Sequence, residues 1–514
     1  MADATAGPWD DIIVGGGTAG AVLASRLSEN RDRKVLLIEA GGTPATAGSE
    51  ELAGVPVLSG RNWSHVARLG PAGGRTAPYP LGKGLGGSSA VNGAMALRGL
   101  PSDFDAWAEA GNPEWAWHNM LPVFADLETD ADFKERDHHG SHGPVPVRRP
   151  MDTLQGPVEQ AFVKACWERG LPALADLNTE FSPGVGAIPG NAEGRRRIST
   201  AESHLADARH RPNLTVWTDS TVTRLCWGAG GRVRGVEVRH GGRTSRPAAD
   251  RVTLSAGAVN SPVLLERSGV GDADHLTAVG IKPVVHLPGV GKNLTEHAAV
   301  VLWAKPAAGA CRAGQPWHEL MARLSSAEDG IADVALFLVN NVTTAEMPFI
   351  AGRFGAELVL GLSAMLLRPA SRGSVHITGA DPDAPIDLAV ALATTQGDTE
   401  RLMYGVRSAW SLLSSPAMRD VVERVFVWTE RMVRDDALLG RAVSGFVSPT
   451  WHPTGSARMG PNSDPLAVVD QYCRVHGVDG LRVVDASVMP RIPSAPPNLT
   501  CIALAERVAR WMDQ

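Results

Sequence analysis

The run "GGGTAG" places Gly15, Gly17 and Gly20 in the spacing G-x-G-x-x-G, directly behind the apolar stretch Asp11 to Val14. In that spacing the first glycine allows a tight turn, the second lets backbone approach a pyrophosphate, and the third permits close helix packing. Thr18 and Ala19 open the helical run "TAGAVLASRLSEN", whose N-terminus would aim at the phosphates. A second apolar run, "KVLLIEAG", ends at Glu39 and Ala40, and an acidic residue nineteen positions after Gly20 is placed to accept hydrogen bonds from a ribose diol. This unit predicts a bound dinucleotide, NAD or FAD. A second glycine-rich run, "GKGLGGSSAVNGAMALRG", sets Gly84, Gly86 and Gly87 beside Ser88, Ser89 and Asn92. It suits either a pyrophosphate or flat ring, or a tight structural loop. Far downstream, "SPTWHPTGSARMG" holds His452 between a Trp and a Pro. Imidazole suits proton transfer near neutral pH, but the chain has fifteen histidines and residue type alone does not single this one out.

These residues need a large scaffold. With 514 residues, 44% hydrophobic and 20% charged, the chain is long enough for two domains and is predicted to be globular. No apolar run is long enough to span a bilayer, so no membrane insertion is expected. The opening "MADATAGPWDDIIVGGG" lacks a basic segment followed by an apolar one, which gives the expectation of a cytoplasmic protein. A formal net charge of -6 argues against nucleic acid as a partner. Five scattered cysteines without a C-x-x-C predict neither a disulfide framework nor a metal site.

"DRVTLSAGAVNSPVLLERSGVG" reads as a buried strand, a glycine turn and a helix. Just upstream, "PNLTVWTDSTVTRLCW" followed by "RVRGVEVRHGG" has the period-2 pattern of an antiparallel hairpin. From about Ala299 to Gly445 the cofactor motifs stop; "DVALFLVNN" and "GSVHITG" predict strands and "TERLMYGVRSAWSLLSS" an amphipathic helix.

Six ordered stretches resemble the glucose-methanol-choline (GMC) family of oxidoreductases. They are "DDIIVGGGTAGAVLASRL", "GKGLGGSSAVNGAMALRGLPSDFDAW", "LSAGAVNSPVLLERSGVG", "LPGVGKNLTEH", "WHPTGSARMG" and "GLRVVDASVMPRIPSAPPNLTCIALAERVA". The resemblance implies FAD rather than NAD, and an α/β fold: a Rossmann-like FAD-binding domain, as in glutathione reductase, with a substrate domain on an antiparallel sheet flanked by helices. It implies a discontinuous FAD domain, 1–152, 199–298 and 445–514, with 153–198 and 299–444 forming the substrate domain. "LRPASRGSVHITGADPDAPIDL" resembles the family's run across the substrate sheet. The implied FAD contacts are Gly15, Gly17, Thr18, Ala19, Gly20, Glu39, Ala40, Gly84, Gly87, Ser88, Asn92, Gly93, Val222, Ala256, Asp485, Ala486, Asn498 and Thr500. Some members tether the flavin through a His directly before the Asn of the second motif; Val91 stands there, which implies non-covalent FAD. A β-branched residue in a strand such as Val222 needs no ligand to explain it.

The family also gives His452 a role. Oxidising a primary alcohol to an aldehyde by hydride transfer to flavin N5 leaves a hydroxyl proton for a base to remove. The resemblance makes His452 that base and Asn498 the group that hydrogen-bonds the substrate oxygen, because an amide cannot act as a base near neutral pH. By position alone Asn498, ahead of an apolar-periodic run, is also a good helix N-cap. Trp451 is expected either to face the substrate or to pack in the core. "TWHPTG" is similar to the run in aryl-alcohol and hydroxymethylfurfural oxidases, pointing to an aromatic or furfuryl-type alcohol, while "HGSHGPVPVRRP" resembles dehydrogenases that use acceptors other than oxygen. O2 and another acceptor both stay open, as does a hydroxynitrile-lyase-like member with structural FAD. The sequence does not fix an oligomeric state.

Overall fold

Ile12, Ile13, Leu36, Leu37, Val252 and Leu254 are fully buried, as strands covered on both faces require. They belong to a five-stranded parallel sheet in the order Leu214–Trp217, Val35–Ile38, Trp9–Val14, Ala249–Leu254, Leu481–Val483. Three separated parts of the chain thus meet in one sheet. The helix Thr18–Leu27, buried along most of its length, packs against the C-terminal helix Asn498–Met512, where Arg26 pairs with Glu506 at 2.9 Å. The computed structural model describes residues 8–43, 60–70, 74–151, 154–327, 329–346 and 354–513. The expected domain boundary at 152/153 lies outside the described residues.

One expected hairpin divides differently. Leu214–Trp217 joins the parallel sheet beside Val35–Ile38, and only Thr221–Trp227 pairs antiparallel with Val233–His240. Asp219, at φ 51°, turns the chain between the two strands.

The larger sheet has eight strands: in order Val422–Val425, Ala298–Pro306, Leu358–Leu366, Val334–Thr343, Leu320–Leu324, Gly184–Ala187 and Ala173–Leu174, with Ser448–Pro449 also pairing onto Ala298–Pro306. Its pairings are antiparallel except the last, between Gly184–Ala187 and Ala173–Leu174. The expected amphipathic helix forms as Gln396–Leu413 and buries Leu402, Val406, Ala409 and Leu412 against this sheet. "GSVHITG" does form a strand, Ser374–Ile377, but not in the expected place. It pairs with Ile386–Val390, which continues through Asn62–Leu69 to Thr76–Gly82 in a separate four-stranded sheet. At the start of Ser374–Ile377, a Cβ on Gly373 would sit 2.1 Å from the Ala389 carbonyl oxygen, so glycine permits the close approach of the two arms.

All five cysteines are free thiols, four of them buried. Among the described residues no helix is long and apolar enough to cross a membrane.

Candidate active site

A cavity of about 1550 Å³ runs from the glycine turn of the parallel sheet to one face of the eight-stranded sheet. It is larger than a pocket for one drug-sized ligand, which holds roughly 300–1,000 Å³. Gly15, Gly17, Thr18, Ala19, Glu39, Ala40, Gly87, Ser88, Asn92, Gly93, Val222, Ala256, Asp485 and Ala486 border it, as do Trp451, His452 and Asn498. Gly20, Gly84 and Thr500 do not.

The glycines explain part of this division. A Cβ on Gly20 would lie 1.9 Å from the Gly15 carbonyl oxygen, so its bare Cα serves the packing of helix on strand. A Cβ on Gly17 would meet no protein atom closer than 3.7 Å, so nothing in the protein demands glycine there. Instead it leaves the N-terminus of Thr18–Leu27 open to the cavity, the environment a pyrophosphate needs. The residues present therefore fit FAD.

The two acidic residues are more occupied than their motif positions predict. Glu39 accepts backbone N–H bonds from Gly16 at 2.7 Å, Gly41 at 2.8 Å and Gly84 at 2.9 Å, so it ties the two glycine loops together. A carboxylate offers about four lone-pair sites, which leaves one for a ribose hydroxyl. Asp485 accepts from Gly257 N–H at 2.9 Å, the Ser261 hydroxyl at 2.5 Å and Ser487 N–H at 2.8 Å; it fastens the helix Gly257–Arg267 to the last strand of the sheet. Both carboxylates shape the site through backbone.

At the other end, His452 follows Ser448–Pro449, which pairs with Ala298–Pro306. Its Nδ1 lies 2.9 Å from the Thr450 hydroxyl and 3.0 Å from Nδ1 of His297. Nε2 of His297 lies 3.2 Å from the Leu367 carbonyl, which can only accept, so His297 carries its proton on Nε2. Burial holds His297 down to about 4 and hence neutral, leaving its Nδ1 as an acceptor. With His297 donating to the Leu367 carbonyl, the proton between the two rings is assigned to Nδ1 of His452, which leaves Nε2 of this cavity-bordering residue as the unprotonated nitrogen. Burial, then the neighbouring His297, also holds His452 well below its ordinary value, so it stays neutral at pH 7.

Asn498 is the first residue of its helix and makes no capping bond. Pro497 occupies the cap, and Cys501 N–H already reaches the Pro497 carbonyl at 2.8 Å. The two prolines, Pro496 and Pro497, set the helix start and free the Asn498 side chain, whose Nδ2 has no protein partner. The helix-cap reading is thus corrected. Trp451 borders the cavity and also packs against the core of the eight-stranded sheet.

Several residues at this end were not singled out by sequence. Glu296 and His297 lie in the quoted run "LPGVGKNLTEH" but carried no assigned role; an acidic residue and a His side by side just before a buried strand is the signal that was available. The wall itself comes from alternate residues of sheet strands: Ala299, Val301 and Trp303, then Phe337 and Val339, then Ser363 and Met365. Phe354 stacks on Phe426 at 4.5 Å beside them. These strands contribute no charged side chain to the cavity. His318 borders it too, held down to about 4 by burial.

Two groups of metal-donor side chains occur among the described residues, and hydrogen bonds account for each. Glu266 receives His376 Nδ1 at 2.6 Å and Ile377 N–H at 2.8 Å, with His275 nearby. Glu128, Asp130 and Asp176 surround His139, and Arg98 and Arg149 complete the cluster, with the more exposed Asp132 also pairing with Arg149 at 3.5 Å. This second group is where "HGSHGPVPVRRP" lies, and none of its residues borders the cavity.

Residues 9–299 match the N-terminal and residues 369–505 the C-terminal family model described as GMC oxidoreductase. The chain is 36% identical over 535 residues to 5-(hydroxymethyl)furfural oxidase of Methylovorus sp. (strain MP688), covering 98% of each. It is 35% identical over 535 residues to oxygen-dependent choline dehydrogenase 1 of Chromohalobacter salexigens, covering 98% of this chain and 94% of the other. The crystal structure of pyridoxine 4-oxidase from Mesorbium loti superposes with a TM-score of 0.90 at 32% identity, covering 98% of this chain and 99% of that one. The chain belongs to the GMC oxidoreductases, FAD-dependent enzymes that act on alcohol donors.

Proposed function

We propose that this enzyme oxidises a neutral, flat primary alcohol of aromatic or furfuryl type to its aldehyde, and that O2 receives the electrons. The observation that carries the reading is the His452 ring, which borders a chamber walled by Trp303, Phe337 and Trp451 and is held at its Nδ1 by the Thr450 hydroxyl and His297 Nδ1. His452 Nε2 takes the hydroxyl proton. Asn498, at the same cavity, hydrogen-bonds the alcohol oxygen and orients its carbon. Bound FAD supplies the two-electron acceptor for the hydride. As the imidazole becomes cationic, the Thr450 hydroxyl and His297 Nδ1 accept from its Nδ1–H and keep the ring in place. The apolar walls exclude water, which protects the charge developing on the oxygen from bulk solvent.

The names of the furfural and pyridoxine oxidases support the oxygen-using, ring-bearing substrate class. The uncharged sheet face supports a neutral substrate over the cation that the choline dehydrogenases are named for. FAD is proposed to be non-covalent, since Val91 offers no nucleophile. In this reading 1–152, 199–298 and 445–514 hold FAD, and 153–198 and 299–444 build the chamber. Glu39 reaches the ribose by its remaining lone pair.

An anaerobic titration of the yellow protein with benzylic, furfuryl, aliphatic, amino and sugar alcohols tests this. Bleaching of the flavin by the first two classes, with recovery and hydrogen peroxide on admission of air, is expected. Bleaching by choline alone, or by none of them, would refute it.

A further inference from the structure

The backbone beside the base is strained, and one buried carboxylate grips it on both sides. Trp451 sits at φ 60°, the left-handed region, which costs a non-glycine residue roughly 1–2 kcal/mol. Such a conformation persists only where its surroundings over-determine it. The Thr450 hydroxyl, on one side, lies 3.2 Å from Glu296 Oε1 and 3.2 Å from the His297 carbonyl oxygen, two acceptors that share its proton. His452 N–H, on the other, donates to the two Glu296 oxygens at 2.8 and 2.9 Å. The Tyr79 hydroxyl donates to Glu296 Oε2 from a third element, the strand Thr76–Gly82.

Glu296 is 1% exposed and Tyr79 fully buried, and among the described residues no Lys or Arg forms an ion pair with the carboxylate. Burying a carboxylate without a cation is costly unless hydrogen bonds satisfy it, and here every bond goes to the segment carrying the base or to Tyr79. Burial accordingly pushes the Glu296 carboxyl up to about 7.

We propose that Glu296, braced by Tyr79, is a positioning residue for alcohol oxidation: it clamps Thr450 and His452 across the strained Trp451 and so fixes the direction in which His452 Nε2 meets the substrate. This rests on His452 being the base. Thr450 links the two functions, since the hydroxyl anchored by Glu296 is also the one that receives His452 Nδ1–H. Released from the clamp, Trp451 would relax and carry the imidazole away from its line to the alcohol. A displacement of about 1 Å at such a site costs on the order of 100-fold.

The test uses FAD-loaded protein mixed anaerobically with benzyl alcohol, comparing wild type, Glu296→Ala, Glu296→Gln and His452→Ala. Glu296→Ala is expected to lower the limiting rate of flavin reduction about 100-fold while the dissociation constant for the alcohol and the FAD content stay within about twofold. Glu296→Gln keeps an acceptor for His452 N–H and is expected to recover about tenfold of that loss. A merely structural role would instead move FAD content and affinity with the rate. Glu296→Ala reducing within about threefold of wild type, with His452→Ala slow, overturns the clamp and leaves the base standing. His452→Ala reducing as fast as wild type overturns the base itself. Should Glu296→Ala fail to hold FAD, Tyr79→Phe and Glu296→Gln decide: unchanged rates in both would sink the proposal.

Discussion

Two histidines of this protein, His139 in the interior and His452 half-buried at the cavity, are held in opposite charge states. His139 touches Glu128, Asp130 and Asp176 at 2.7–3.0 Å, and these carboxylates hold it up to about 10. Among the described residues the His452 ring hydrogen-bonds to another neutral imidazole and a hydroxyl, and burial, then His297, holds it well below its usual value. Desolvation acts on both. What differs is direct contact with carboxylates, which offsets the cost of charge at His139 and is missing at the His452 ring, where the nearest carboxylate, Glu296, binds the backbone N–H instead. The charged histidine belongs to an ion-pair knot that ties chain segments together; the neutral one keeps a lone pair free for chemistry.

The contrast is broken most severely by removing the neutral ring. His452→Ala is expected to slow flavin reduction by an aromatic alcohol about 1000-fold, near 4 kcal/mol, with folding stability unchanged in thermal melts. The complementary change, His139→Gln, leaves three buried carboxylates facing two arginines. It is expected to cost about 3 kcal/mol of stability in urea unfolding, with the flavin-reduction rate per bound FAD unaffected. Next in size is Asn498→Ala, which removes a hydrogen bond to the reacting oxygen and is expected to lower kcat/KM about 30-fold, or about 2 kcal/mol.

The effects of pH have opposite signs in the two regions. His139 has a folded value near 10 against about 6.5 unfolded, so its contribution is complete below 6.5 and fades as pH rises to 10. His297 and His318 are held down to about 4, so their neutral burial contributes above 6.5 and fades as pH falls toward 4. From these histidines Tm should peak near pH 6.5 and decline on both sides, with His139→Gln flattening the alkaline side; the Glu296 carboxyl, held up to about 7 from an ordinary 4.5, works against the acid-side gain by losing stability as pH rises through that range.

The glycine turn and Glu39 were legible because their spacing is local: strand, turn and helix occupy one continuous segment. His452 and Asn498 were legible through the family motifs, not through residue type. What stayed hidden depends on distant pairing. Tyr79 and Glu296 are 217 positions apart and meet only after the small sheet packs beside the substrate sheet. The aromatic wall is set by which face each strand of a two-sided buried sheet presents, and near-continuous apolar runs such as "VALFLVNNVT" carry no alternation to reveal it. The cap expected at Asn498 failed because two prolines, not the side chain, start the helix. The strand Leu214–Trp217 was read into a hairpin because a parallel-sheet strand and a hairpin arm share the same β-rich composition.

Long-range 1H–15N NMR of the FAD-loaded protein labelled at histidine, at pH 7.5 and assigned with His452→Ala and His139→Gln, tests the central claim most directly. The account predicts one protonated and one bare nitrogen for His452, with the proton on Nδ1, and two protonated nitrogens for His139. A proton found on Nε2 of His452 at that pH would contradict it.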